Sequence, residues 1–151
     1  MPEIGVDRNR EAPLTILYRD EHIVVIDKPA GLLIHRSEID RHETRFAIQI
    51  LRDQIGQRVW PAHRLDRGTS GVLLFALNVE LAGILGRQFE NGTVEKRYWA
   101  VVRGHPPAEG IIDHPLSRQR DPYEFQGERS SQAAQAAVTH YRRLAETELP
   151  V

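Results

Sequence analysis

The patterned part of the chain opens with two short β-rich runs. Leu14–Tyr18 and His22–Asp27 are separated only by Arg19, Asp20 and Glu21, which predicts a hairpin. Lys28-Pro29-Ala30-Gly31 ends the second run, because proline donates no ladder hydrogen bond and Gly31 permits a turn. Leu32–His35 reads as a short extended piece. Thr44 is placed to cap a helix beginning near Arg45, with Phe46, Ala47, Ile50, Leu51 and Ile55 on its apolar face and Gly56 at its end. Val59–His63 leads into a loop, Arg64–Gly71. Val72–Leu77 is continuously apolar, as in a strand buried on both faces. Asn78 is a good N-cap for a helix over Val79–Glu90, with Leu81, Leu85 and Phe89 on one face and Asn91-Gly92 as the stop. Val94–Arg103 shows the clearest two-residue alternation, with Val94, Tyr98, Ala100 and Val102 on one face and Trp99 and Val101 on the other. Ile111-Ile112 is a short strand, Leu116–Ala134 a long polar loop and Ala136–Leu144 a further strand. Residues 1–13 form a polar tail. Without a regular βαβ alternation, the pattern predicts an α+β fold, a mostly antiparallel mixed sheet flanked by helices.

Composition narrows the function. At 151 residues the chain makes one domain and buries roughly 70% of the surface its unfolded form exposes. The 40% of hydrophobic residues and the net charge of -1 argue against intrinsic disorder. There is no cysteine, so disulfides, thiolate metal sites and thiol nucleophiles are excluded as well. No apolar run is long enough to span a membrane, and residues 1–13 lack the apolar stretch of a secretory signal, which makes the cytoplasm the expected compartment. The near-zero net charge argues weakly against a nucleic-acid partner. Of the 20 basic residues, however, only Lys28 and Lys96 are lysine. Arginine is the better residue for bidentate phosphate contact and for stacking on bases, although an arginine-rich genome gives the same bias.

The chemistry concentrates in His63-Arg64-Leu65-Asp66-Arg67-Gly68-Thr69-Ser70-Gly71. Arg64 and Arg67 flank Asp66, and nearby positive charge favours an ionised carboxylate. Such a group serves as nucleophile or base and is a poor general acid. The other reading of the same residues is an Arg–Asp pair tying down a turn. His63 and Asp66 stand at helical spacing, but Gly68 and Gly71 make the segment a loop; with His35 remote in sequence, no metal is expected. Lys28 invites a Schiff-base role, but Pro29 and Gly31 beside it read as a structural turn.

His63–Gly71 followed by Val72-Leu73-Leu74-Phe75-Ala76 resembles the signature HRLDRxTSGxxLFA of the RluA-type pseudouridine synthases. A second block, Asp27–His35, and a third, Glu95–Gly104, resemble the same family and stand in its order. Such enzymes cleave the bond between ribose and N1 of a uracil, rotate the base and rejoin it through C5, with no cofactor and no metal. The resemblance implies that Asp66 is catalytic, by attack on the sugar C1′, by promoting a glycal intermediate, or by attack on C6 of the base. It implies that Tyr98 stacks on the extruded uracil or helps remove the C5 proton. The plain alternative is a strand tyrosine packing a sheet face. Arg64 aligns with the arginine that enters the RNA helix where the nucleotide was. Arg67, Lys96 and Arg97 become candidate phosphate contacts, each equally readable as a solvated charge. Thr69, Ser70 and Gly71 shape the loop.

Arg36-Ser37 after His35, together with Arg52–Gln57 and Ala137–Arg142, resembles the tRNA-modifying branch of the family, with uridine 65 as the implied substrate. The implied partner is RNA, in particular tRNA, and the implied full-length protein is a monomer. The family's catalytic domain continues past Val151, so residues 14–151 read as its amino-terminal portion, with no separate RNA-binding domain before it. The expectation is a parent enzyme whose 151-residue piece is unstable or inactive alone. The rival functions are a non-catalytic RNA-binding or RNA-folding module, or a ribosomal-RNA uridine as substrate. A glycosidase lacks its second carboxylate near Asp66, and a phosphatase lacks a phosphate-cradling glycine loop.

Overall fold

The computed structural model describes residues 12–35, 44–117 and 134–148. The polar tail up to residue 11, Arg36-Ser37 and most of the long polar loop lie outside the described residues. The chain divides into two compact units, Met1–Arg97 and Tyr98–Val151.

The first unit is built on a four-stranded antiparallel sheet of order β1-β2-β4-β3, with β1 at Thr15–Arg19, β2 at Ile23–Lys28, β3 at Trp60–Pro61 and β4 at Gly71–Ala76. The hairpin between β1 and β2 forms where the sequence places it. Asp20 fixes the turn, its Oδ1 accepting from the N–H groups of His22 at 2.8 Å and Ile23 at 2.7 Å. These bonds hold the Asp20 carboxyl below its ordinary pKa. β2 and β4 pair without interruption, from Ile23 opposite Ala76 to Lys28 opposite Gly71. In that register Val24 faces Phe75 and Ile26 faces Leu73, and all four are fully buried. The other face of β4 is covered only in part. Val72, opposite the exposed Asp27, is 62% exposed, which corrects the expectation of a strand buried on both faces. An apolar run does not by itself reveal how far its second face is covered.

Helix α1 (Ala47–Ile55) adds Ala47 and Leu51 to the core and ends at Gly56, whose φ of 67° is left-handed. Its start departs from expectation. Thr44 is not the cap. Phe46 holds that position, is buried and gives no side-chain cap. The orphan N–H groups of Ala47 and Ile48 instead donate to the carbonyls of Leu33 and Ile34, at 2.8 and 3.1 Å. Backbone from a distant segment thus replaces a local cap. Helix α2 (Val79–Glu90) follows its sequence signals closely. Asn78 accepts from the Leu81 N–H at 2.8 Å, and Asn91-Gly92 ends the helix. Leu81, Leu85 and Phe89 are half-buried, and α2 lies against β4 and β3.

The second unit contains β5 (Glu109–Asp113) and β6 (Val138–Arg142), paired antiparallel, both where strands were expected. Tyr141 lies over Gly110 so closely that a Cβ there would stand 2.7 Å from the ring. The strand expected over Val94–Arg103 is absent. Tyr98 is 62% and Trp99 91% exposed, and Val101 and Val102 are exposed too. A strand exists only through ladder bonds to a neighbour, and no described residue pairs with this segment. Among the described residues no helix is long and apolar enough to cross a membrane.

The register of β4 makes adjacent positions unequal. Leu73→Ala is expected to destabilise the fold by about 2–5 kcal/mol in urea unfolding. Val72→Thr, on the open face, is expected to stay within about 0.5 kcal/mol.

Candidate active site

The pairing of Lys28 with Gly71 brings two turns side by side at one end of the sheet: Pro29–Leu32, leaving β2, and Arg64–Ser70, entering β4. Both need glycine. Gly31 has φ 87° and Gly71 φ 120°, conformations that side chains disfavour. The two turns are cross-linked by one backbone and one side-chain hydrogen bond. The Gly31 N–H donates to the Arg67 carbonyl at 2.7 Å, and Arg67 Nε donates to the Gly31 carbonyl at 3.2 Å. Within the loop, the Thr69 N–H closes a turn on the Asp66 carbonyl at 3.0 Å.

Lys28 lies beneath this junction and is 0% exposed. Its Nζ donates to the carbonyls of Leu32 at 2.8 Å, Pro29 at 3.0 Å and Arg67 at 3.3 Å. An ammonium has three N–H donors, and three carbonyls receive them. Burial pushes the Lys28 pKa down, and the Asp66 charge opposes that shift. The Schiff-base reading of Lys28 is therefore set aside, since its nitrogen faces backbone oxygens in the interior. The structural-turn reading fits this geometry. The sequence carried a signal for the burial: the two-residue period places Lys28 on the same inward face as Val24 and Ile26.

His63 anchors the start of the loop. Its ring stacks on Phe89 of α2 with centroids 4.6 Å apart, and its Nε2 accepts from the Leu74 N–H at 3.2 Å. With Nε2 accepting, the neutral ring carries its proton on Nδ1. Burial pushes the His63 pKa down. A hydrogen bond with the Arg64 backbone acts upward, and the nearby charge of Lys96 acts downward. The Phe89 stack was not legible in the sequence, because the two residues come together only when α2 docks.

Asp66, Arg64 and Arg67 are exposed at the rim of this junction. The structure thus brings together Arg64, Asp66, Arg67 and, beside His63, Lys96. Arg97 is exposed and paired with Glu95 at 2.6 Å, a partner the sequence reading missed although it stands two residues away. Tyr98 is exposed and opens the second unit. No group of three His, Asp or Glu among the described residues is arranged to hold a metal ion. The result is an exposed carboxylate on a loop fixed from below, with the exposed Arg64 and Arg67 on the same loop. That arrangement suits contact with a large anionic surface better than enclosure of a small molecule.

The sign of the His63 shift predicts a pH dependence. Below about pH 6.5 the unfolded chain takes up a proton that folded His63 resists, so stability is lost as pH falls through that range. Urea unfolding at about pH 7.5 and 5.5 is expected to show a smaller acid loss in His63→Gln, which keeps an acceptor for Leu74 but has no proton to bind.

Comparison with known proteins places this geometry. Residues 22–149 match the family of RNA pseudouridylate synthases. The chain is 55% identical over 137 residues to tRNA pseudouridine synthase C of Pasteurella multocida, and 49% identical over 138 residues to that of Vibrio cholerae. Each alignment covers 91% of this chain, and 56% and 57% of the respective relative. The chain thus spans about half the length of the curated relatives it matches. Among solved structures, human RNA pseudouridylate synthase domain containing 4 is similar at a TM-score of 0.69 and 30% identity, over 88% of this chain and 54% of that one. The match runs through β2, the clamped loop and β4 alike, and this chain belongs to the RNA pseudouridylate synthase family.

Proposed function

We propose that this chain carries the Asp66 part of an enzyme that isomerises a uridine of tRNA, at position 65, to pseudouridine. The observation that supports this reading best is the exposed Asp66 carboxylate on a loop whose backbone is clamped to the neighbouring turn. The relatives named tRNA pseudouridine synthase C support tRNA as the substrate class.

In this reading the nucleotide leaves the RNA helix, at a cost of a few kcal/mol, and Arg64 fills the gap by stacking and hydrogen bonding. The uracil ring stacks on Tyr98, whose hydroxyl is also suited to help remove the C5 proton. Asp66, on the loop it shares with Arg64 and Arg67, acts on the sugar C1′, by the glycal route, or on C6 of the base. Lys96 and Arg97 meet phosphates. For Arg97 a phosphate displaces Glu95, an inexpensive exchange because the existing pair is solvent-exposed. Arg67 contributes its charge at the rim while its Nε stays on the Gly31 carbonyl.

The test is release of tritium from tRNA labelled at C5 of uridine. The chain is assayed alone and joined to the remaining length of the Pasteurella multocida relative. Asp66-dependent release is expected from the joined form, with Asp66→Asn lowering the rate by about a thousandfold or more. Undiminished release by Asp66→Asn removes Asp66 from the chemistry. RNA binding that survives in Asp66→Asn while no form releases tritium points to a binding module.

A further inference from the structure

We infer that Gln49, Arg52 and Arg58 form a second RNA contact, a recess that takes a phosphate of the RNA backbone away from the reacting nucleotide; this rests on tRNA being the substrate, as proposed. Gln49 and Arg52 are exposed and stand three residues apart on α1, a spacing that puts them on one face. Arg58 comes back beside them because the chain turns at Gly56. The N–H groups of the left-handed Gly56 and of Gln57 both donate to the Arg52 carbonyl, that of Gln57 at 3.2 Å, which ties the turn to the helix. The three side chains, with Ile48 and the buried Val59, line a recess of about 210 Å³.

Size and charge select the ligand. Pockets that enclose drug-sized molecules run from about 300 Å³ upward. This recess is smaller, and two guanidinium groups and a carboxamide line it. It suits a single small anion presented by a larger body, which describes a backbone phosphate. Arg58 is positioned in advance: its guanidinium lies over the Trp60 ring, 5.2 Å from the centroid. Stacking engages the face of the guanidinium and leaves its edge donors for an anion. Arg52 gives its Nε to Asp53 Oδ1 at 2.7 Å, one donor of five, in an exposed pair that a phosphate can share or displace. Against the two arginines stand the Asp53 carboxylate and the C-terminal end of α1, worth about half a negative charge, so the balance stays positive. The recess is separate from the Asp66 loop but linked to it. Trp60 pairs with Ala76, at the end of β4 away from Gly71, about 17 Å along the strand. α1 itself starts on the carbonyls of Leu33 and Ile34, just after the turn bonded to the Arg67 carbonyl. An RNA held at both places is oriented as well as bound, because a second contact on one compact unit fixes a direction that the first leaves free.

The test is binding of transcribed tRNA between about 50 and 200 mM salt, by the chain alone and by the joined form described above. Arg52→Gln/Arg58→Gln is expected to weaken binding about tenfold and to lower the slope of log K against log salt by about 1–2. Arg19→Gln/Arg87→Gln removes the same charge from exposed positions elsewhere and is expected to weaken binding less than about threefold. Asp53→Asn is expected to tighten binding about twofold, since it removes the one carboxylate paired with Arg52. In the tritium assay the Arg52/Arg58 double variant is expected to raise KM for tRNA about tenfold with kcat within about twofold. Equal effects of the two double variants overturn the inference, as does wild-type binding by Arg52→Gln/Arg58→Gln. If that variant does not fold, Arg52→Gln against Arg19→Gln, with Asp53→Asn, makes the same comparison. Tritium release that is absent or independent of Asp66 fails the proposed chemistry, and the salt slopes still decide the recess. A wild-type protein that binds no tRNA in either form overturns both.

Discussion

Six residues of β2 face six residues of β4 in one unbroken antiparallel register, and the rest of the first unit depends on that pairing. It aligns Val24 and Ile26 with Phe75 and Leu73, which makes the core. It also ends with Lys28 opposite Gly71, which sets the two turns of the candidate site against each other. Core and site are thus consequences of one alignment. A slip of one residue in β2 would turn Lys28 outward together with Val24 and Ile26, so the site and the core cannot be misregistered separately.

The site combines a rigid interior with an open rim. Below the loop a charge is buried and hydrogen-bonded to backbone oxygens. Above it, Asp66 and the arginines meet water. Exposed charges interact weakly because solvent screens them, and the same charges interact more strongly once water is excluded. On the proposed function, a docked RNA supplies that exclusion itself. A site for a large substrate therefore does not need a deep cavity of its own. It needs groups whose positions are fixed before the substrate arrives, and the cross-linked turns provide that.

The second unit shows the opposite condition. A two-stranded ribbon is marginal without further packing, and β5 and β6 keep Ile111, Ile112 and Val138 exposed. The Tyr141 ring over Gly110 covers backbone that has no side chain of its own. The segment from Tyr98 to Val102 has strand-like alternation with its large side chains in solvent. Its sequence is suited to a sheet, and a sheet position requires a neighbouring strand to receive its backbone bonds.

What the sequence determined by itself lies within a few residues of its cause. Asp20 sets the first turn, and Asn78 and Asn91-Gly92 bound α2. The Asp66 loop is legible because its arginines, glycines and following apolar run are contiguous. Each of these features depends on bonds spanning about one turn of chain, which a local pattern can specify. Tertiary structure decided the rest. The start of α1 belongs to the carbonyls of Leu33 and Ile34 rather than to Thr44, the alternation of Val94–Arg103 does not become a strand without a partner, and Val72 stays in solvent because that end of the second face is uncovered. Lys28 is the sharpest case. The two-residue period places it on the inward face of β2, but no local pattern supplies partners for its ammonium. Its burial is stable only because the β2–β4 register carries the Arg67 carbonyl to it from 39 residues away.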